Sequence, residues 1–299
     1  MAIDITPQFS DNDILTILAQ QYGLSGDLKS LPGYCDQNIL LNSNGQQYIV
    51  KIANSAEPSI ELEMQNAAME HLTAAEHAVP SVIKSVNKQS IVEMVDSQGQ
   101  VFLLRVLSFL PGKFYADAKP TSHNENLWRD LGSFIANIDN SLSDFEHAGA
   151  YRYLDWDLAQ SYRVCMNKKG LLTEQQLPLV EHFLSQYQIH TLPVLSQLPL
   201  SIIHNDANDY NLLVDDTLNP QKISGLIDFG DMVYSQTVNE LAIACAYAIM
   251  GDKAPQYDVV DTLKSIVSGY HRVRPLQDIE LEVLFSLVVM RLCSTVCNS

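Results

Sequence analysis

Over its first hundred residues the chain alternates short apolar runs with polar turns. QNILL (37–41) and QQYIVKIA (46–53) flank NSNG, and Asn44-Gly45 between two β-rich runs predicts a hairpin. From Ser59 to about Ala75, Ile60, Met64, Ala67, Ala68 and His71 recur at three- and four-residue steps and predict a helix with one largely apolar face. Pro80 ends that pattern. SVIKSV (81–86), SIVEMV (90–95) and VFLLRVLSFL (101–110) then predict strands, the last two joined by DSQGQ.

Beyond Leu110-Pro111-Gly112, the expected hinge, the pattern turns helical. In NLWRDLGSFIANIDN, Leu127, Leu131, Phe134, Ile135 and Ile138 hold one face. Further helices are expected around 154–168, 174–190, 238–250, 259–271 and 276–297. One stretch interrupts them: SII, LLV and ISGLI, between Leu200 and Asp228, predict a small β element inside a helical lobe. The fold class is therefore α+β, with a β-rich N-terminal lobe (1–109) and a mainly helical C-terminal lobe (110–299).

Composition narrows the function classes. At 299 residues with a formal net charge of −17, the chain lacks the Lys and Arg surplus with which general nucleic-acid binders neutralise phosphates, so no nucleic-acid partner is expected. The acidic balance is compatible with cationic substrates, although it also serves solubility. Five scattered cysteines without a CxxC pair suggest reduced, buried thiols. MAIDITPQFSDND shows no basic start or apolar leader and Leu241–Met250 is too short to span a bilayer, so a cytoplasmic protein without membrane association is expected.

The chemistry lies in one segment. HNDANDYN (204–211) fits HxDxxxxN, and Asp228-Phe229-Gly230 begins seventeen residues after Asn211. Folding back about the turn-rich DDTLNPQK, centred near Asn219-Pro220, brings Asn211 opposite Asp228. A carboxamide and a carboxylate meeting there suit Mg2+, a hard cation that prefers oxygen ligands and keeps some water, beside the phosphates of ATP. Asp206 is positioned to orient an acceptor hydroxyl and take its proton; as a weak base it matters more for orientation. His204 is expected to anchor the loop. The bland alternative is a surface β-turn-β unit with Asp228 capping a helix.

Lys51 shares a strand face with Ile49 and would meet phosphates and a helix glutamate, either Glu61 or Glu63. No GxGxxG precedes it, so a phosphate-covering loop would be built around Pro32, Gly33 and Tyr34. No APE motif follows DFG, and a helix is expected to begin near Val238, which leaves no long activation segment and favours a small acceptor. Asp209, Asp231, Asp155 and Asp157 are candidates for an acidic pocket that takes an amine-bearing alcohol, although YRYLDWDL, with Trp156, equally suits a packed helix start.

LPGYCDQN (31–38), YIVKI (48–52), ELEMQNAAMEHL (61–72), HNDANDYNLLV (204–214) and GLIDFGDMVYSQTVNELAIACAYAIM (225–250) resemble the aminoglycoside phosphotransferase and choline kinase superfamily of protein-kinase-like, two-lobe folds. Within it the chain is most similar to hydroxylysine kinases and to kinase-like domains fused to class III aminotransferases. The resemblance implies ATP and Mg2+ as cofactors, Asp206 as catalytic residue, Asn211 and Asp228 as metal ligands, Lys51 on the ATP phosphates, and Glu63 as the lysine's partner. It also implies phosphorylation of an amino alcohol or hydroxylated amino acid such as 5-hydroxylysine, with choline, ethanolamine, homoserine or aminoglycoside as alternative acceptors. A catalytically silent nucleotide-binding module associated with, or fused to, an aminotransferase is the alternative from another class. Asn205 departs from the glycine or arginine usual after the histidine, and relatives continue beyond Cys293–Ser299, where a further helix or fused domain is expected.

Overall fold

The computed structural model describes residues 6–33, 35–118, 122–215, 217, 220–250 and 258–298. The chain divides into two compact units, Met1–Leu110 and Pro111–Ser299.

In the first unit, α1 (Asp11–Tyr22) precedes an antiparallel sheet of β1 (Asp27–Leu31), β2 (Gln37–Ser43), β3 (Gln46–Ile52), β4 (Val82–Ile83), β5 (Val92–Val95) and β6 (Val101–Ser108). The order is β1-β2-β3-β6-β4, and β5 pairs along β6 as well. The β2–β3 hairpin turns through Asn44 and Gly45, both at positive φ, as the Asn-Gly pair requires. The sequence pattern did not disclose α1 or β1. Ser10 and Asp13 cap α1 reciprocally and Gly23, at φ 65°, closes it. Its Ile14 and Leu18 pack on Ile39, Leu41, Val50, Ile52, Phe102 and Leu104 of the sheet.

The helix between β3 and β4, α2 (Ser59–Ala74), buries a wider face than the expected one: Met64 and Ala68 are buried as expected, and Ala67 and His71 are half-buried. Ile60 is exposed, whereas Leu62, Gln65, Asn66, Met69 and Leu72 are buried. The polar part of that face, Gln65 and Asn66, meets Arg105 on β6, 3% exposed, whose Nη2 donates to Gln65 Oε1 at 2.7 Å and Nη1 to Asn66 Oδ1 at 3.1 Å. A buried guanidinium needs acceptors, and two amides on the helix meet it.

The second unit is helical around two small β-sheets. Its helices are α3 (Glu125–Leu142), α4 (Ser161–Lys168), α5 (Leu177–Gln186), α6 (Val238–Ile249), α7 (Val259–Val273) and α8 (Asp278–Asn298). The first of the helices expected beyond α3 is halved: residues 151–157 are irregular and only α4 is regular. Strands β7 (Lys113–Phe114), β9 (Leu212–Val214) and β10 (Ile223–Leu226) form one antiparallel sheet, in the order β10-β9-β7. Strands β8 (Leu200–Ile203) and β11 (Val233–Gln236) form an antiparallel pair. Among the described residues no helix is long and apolar enough to cross a membrane.

Helices α3 and α7 cross at glycines. A Cβ at Gly132 would fall on the carbonyl oxygen of Ile266, and one at Gly269 on the carbonyl oxygen of Arg129, while Ser133 Oγ donates to Gly269 O at 3.1 Å. Glycine inside a helix costs up to about 1 kcal/mol relative to alanine. Here the backbones approach too closely for any side chain. Gly132→Ala and Gly269→Ala should therefore each destabilise the fold by about 1–3 kcal/mol instead of gaining helix propensity, as read from denaturant unfolding midpoints.

Candidate active site

The two small sheets of the second unit deliver the motif residues. His204–Asp206 follow β8 directly, and Asp231 stands just before its partner β11, so Asn205 Nδ2 reaches the Asp231 carbonyl at 3.1 Å. Asn211 precedes β9 and Asp228 lies just beyond β10. Asn211 faces the residue before Asp228: a bulge between Ile223 and Gly225 advances the register by one, so that Ile227 N–H donates to the Asn211 carbonyl at 2.9 Å, with Asp228 next. Pro220 is described; Asn219, the other half of the expected turn centre, lies outside the described residues.

The loop is held from below. His204 is fully buried, its ring edge-on to Phe229 with centroids 4.8 Å apart. Its Nδ1 accepts the Asp206 N–H at 3.3 Å, so the proton sits on Nε2, 3.1 Å from the Ile227 carbonyl. Burial pushes the imidazole down to about 4, which leaves it neutral and structural. Asn205, at φ 66°, donates its N–H to Glu240 Oε2 on α6 at 2.5 Å. Burial, then the nearby Asp139, pushes the Glu240 carboxyl up to about 8. Arg152 donates to the carbonyls of Gly230 and Met232 and so braces the Asp228–Asp231 turn.

Asp206 is the centre of this bonding. Its Oδ2 accepts from Asn208 Nδ2 at 2.8 Å and Asn211 Nδ2 at 2.7 Å, and its Oδ1 accepts from Arg291 Nη2 at 3.1 Å. The side chain keeps 19% exposure. Burial pushes its carboxyl up to about 7; Asp231 and Asp228 raise it further, while Arg291 and the Asn208 bond oppose them. Asn208 Oδ1 accepts the N–H groups of Tyr210 and Asn211, which folds the loop tip.

The donors suit a hard cation. The Asn211 amide nitrogen is committed to Asp206, so the group presents its oxygen, and Asp228 is an exposed carboxylate held at φ 61°. Among the described residues there is no cluster of three or more His, Cys, Asp or Glu that could hold a metal ion.

The other expected aspartates separate. Asp209 is half-buried with its carbonyl accepting Ala116 N–H at 2.8 Å, and Asp231 is half-buried within Coulombic reach of Asp206. Asp155 is exposed and takes the Tyr153 hydroxyl at 2.7 Å. Asp157 is 5% exposed; its Oδ1 caps residues 158–160 and accepts from Ser235 Oγ at 2.7 Å, so the packed-start reading of YRYLDWDL holds for it. In the first unit, Lys51 on β3 is half-buried and lies opposite Arg105 on the face that carries α2. Glu61 is half-buried whereas Glu63, the favoured partner, is exposed. Pro32 and Gly33 are exposed, Asn38 Nδ2 closes on the Pro32 carbonyl at 3.2 Å, and Tyr34 lies outside the described residues.

Arg291, Glu240, Arg152 and Asn208 were not foreseen. Arg291 and Glu240 carried a signal: each is a lone charge in an apolar helical stretch, and such a charge needs a buried partner.

Residues 27–276 match the family described as "Phosphotransferase enzyme family". The chain is 30% identical to a hydroxylysine kinase of Danio rerio, over 97% of this chain and 83% of that protein. It is 28% identical to one of Xenopus laevis, over 95% of this chain and 80% of that protein. Its fold superposes with a TM-score of 0.75 on an amicoumacin kinase solved with AMP-PNP, Ca2+ and Ami, at 17% identity over 96% of this chain and 85% of that one. With its motifs in place and the match running through both units, the chain belongs to the phosphotransferase enzyme family and is an ATP-dependent kinase of a small molecule.

Proposed function

We propose that the enzyme transfers the γ-phosphate of ATP to the hydroxyl of 5-hydroxylysine or a close relative that joins an alcohol to an amine, with Mg2+ as the metal. The observation that carries the chemistry is the division of labour in Asp206. Oδ2 is occupied by two amide donors, whereas Oδ1 has the single Arg291 donor and keeps a lone pair for the acceptor hydroxyl. The acceptor oxygen then bonds to the γ-phosphorus as the bond to the bridging oxygen of ADP breaks, and the hydroxyl proton passes late to Oδ1.

Asn211 and Asp228 would hold magnesium, which supplies charge neutralisation for the phosphates. Lys51, in the first unit, is proposed to meet those phosphates, with Glu61 preferred to Glu63 as its partner on burial. Asp231 and Asp209 remain candidates for the substrate amine, since a half-buried carboxylate attracts an ammonium strongly. Asp157 is withdrawn from that set because its carboxylate is already buried and bonded. The hydroxylysine acceptor is supported by the relatives' identity along nearly the whole chain. A small acceptor is also supported by the path after Gly230, which enters β11 at Val233 and α6 at Val238 and leaves no long segment to dock a protein.

ADP release over a panel of 5-hydroxylysine, lysine, ethanolamine, choline, homoserine and an aminoglycoside tests the acceptor. Turnover should be highest with 5-hydroxylysine and absent with lysine; preference for another alcohol overturns the assignment, and ATP binding without turnover on any acceptor favours a silent module. Asp206→Asn should lower kcat by at least about 10²-fold while nucleotide still binds. Asp228→Ala should abolish the magnesium dependence of nucleotide binding in calorimetric titrations, and unchanged dependence would remove it from the metal site.

A further inference from the structure

We infer that Arg291 is a positioning residue for phosphoryl transfer: its guanidinium, locked by α8, Trp156 and Tyr247, fixes the Oδ1 edge of Asp206 that faces the acceptor hydroxyl. The inference rests on the proposed role of Asp206.

Arg291 lies 85 residues from Asp206 in sequence and is 2% exposed on α8, between Met290 and Leu292. Every side of the guanidinium that the structure describes is engaged except Nε. Nη1 donates to the Trp156 carbonyl at 2.8 Å, and Nη2 to Asp206 Oδ1 at 3.1 Å and to the Tyr247 hydroxyl at 3.3 Å. The guanidinium carbon also stands 5.0 Å from the Trp156 ring centroid and 5.4 Å from that of Tyr247. Two aromatic faces and a backbone acceptor leave the cation little freedom to follow the carboxylate; the carboxylate must follow it.

The opposite edge of Asp206 is held by loop amides, and those alone would let the carboxyl swing about the Asn208–Asn211 side. Arg291 supplies the second support and comes from another element. It also brings the positive charge nearest to Asp206, where Asp228 and Asp231 contribute only negative charge. A cation as deeply buried as this is costly if it serves packing alone, because an aliphatic residue would pack on α8 without needing partners. Its placement is accounted for by what it holds.

The test uses the full chain, with ATP and the best acceptor of the panel, and refers all rates to the fraction of protein that binds nucleotide, so partial unfolding does not enter. Arg291→Lys keeps charge but loses the fork that spans Trp156 and Asp206. It should lower kcat roughly 10²-fold, with nucleotide affinity and the acceptor KM little changed. In Arg291→Ala, added methylguanidinium should restore part of the lost kcat, an effect that a packing role would not produce. A wild-type kcat in Arg291→Lys, or a raised acceptor KM at unchanged kcat, overturns the inference. Asp206→Asn run alongside separates the two levels. If it is inactive while Arg291→Lys is normal, only the role of Arg291 falls; if it turns over normally, the reading of Asp206 fails and Arg291 with it.

Discussion

The carboxylate of Asp206 is the constraint on which the second unit is organised. Four parts of the chain converge on it: β8 brings the backbone in, the loop tip supplies Asn208, the residue just before β9 is Asn211, and α8 supplies Arg291. Removing an ionised group from water costs several kcal/mol unless its lone pairs are met by donors. The loop between Asn205 and Asn211 therefore has few conformations open to it, and the residues that satisfy Asp206 are also those that place the neighbouring oxygens.

A second tier of buried acids lies behind the first. Glu240 accepts the Asn205 N–H and interacts with Asp139, whose carboxyl, raised to about 7 by burial, takes the Tyr270 hydroxyl at 2.6 Å. Tyr270 is on α7 and Asp139 on α3, the helix pair that meets at Gly132 and Gly269. Glu240, which holds the backbone of the reactive loop at Asn205, lies within Coulombic reach of that helix pair's Asp139. The helix pair that meets at the glycines thus also carries the buried Asp139–Tyr270 bond.

What the sequence disclosed follows from range. The Asn-Gly hairpin, the amphipathic α3 and the pairing of 211 with the 227–228 region all depend on neighbours within about thirty residues, and turn chemistry with periodicity records these. Helix α1 was missed because its capping box uses Asp13 in place of the Glu or Gln that marks such starts, although Ser10 and Gly23 bracket it. The expected face of α2 is buried at Met64 and Ala68, but its full width is not legible because Gln65 and Asn66 look like surface residues until Arg105, on a strand about forty residues later, is known to lie against them. Arg291 belongs to the same class. A buried charge announces that a partner exists but not which one, since pairing across 85 residues leaves no periodic trace.

The backbone is left-handed at two non-glycine residues of the site, Asn205 at φ 66° and Asp228 at φ 61°. Each such residue costs of order 1 kcal/mol that glycine would not incur. Screens that select variants for heat resistance alone would therefore be drawn toward glycine at these two positions, and would gain robustness by erasing a loop anchor and a carboxylate. Libraries built to harden this enzyme should hold both codons fixed.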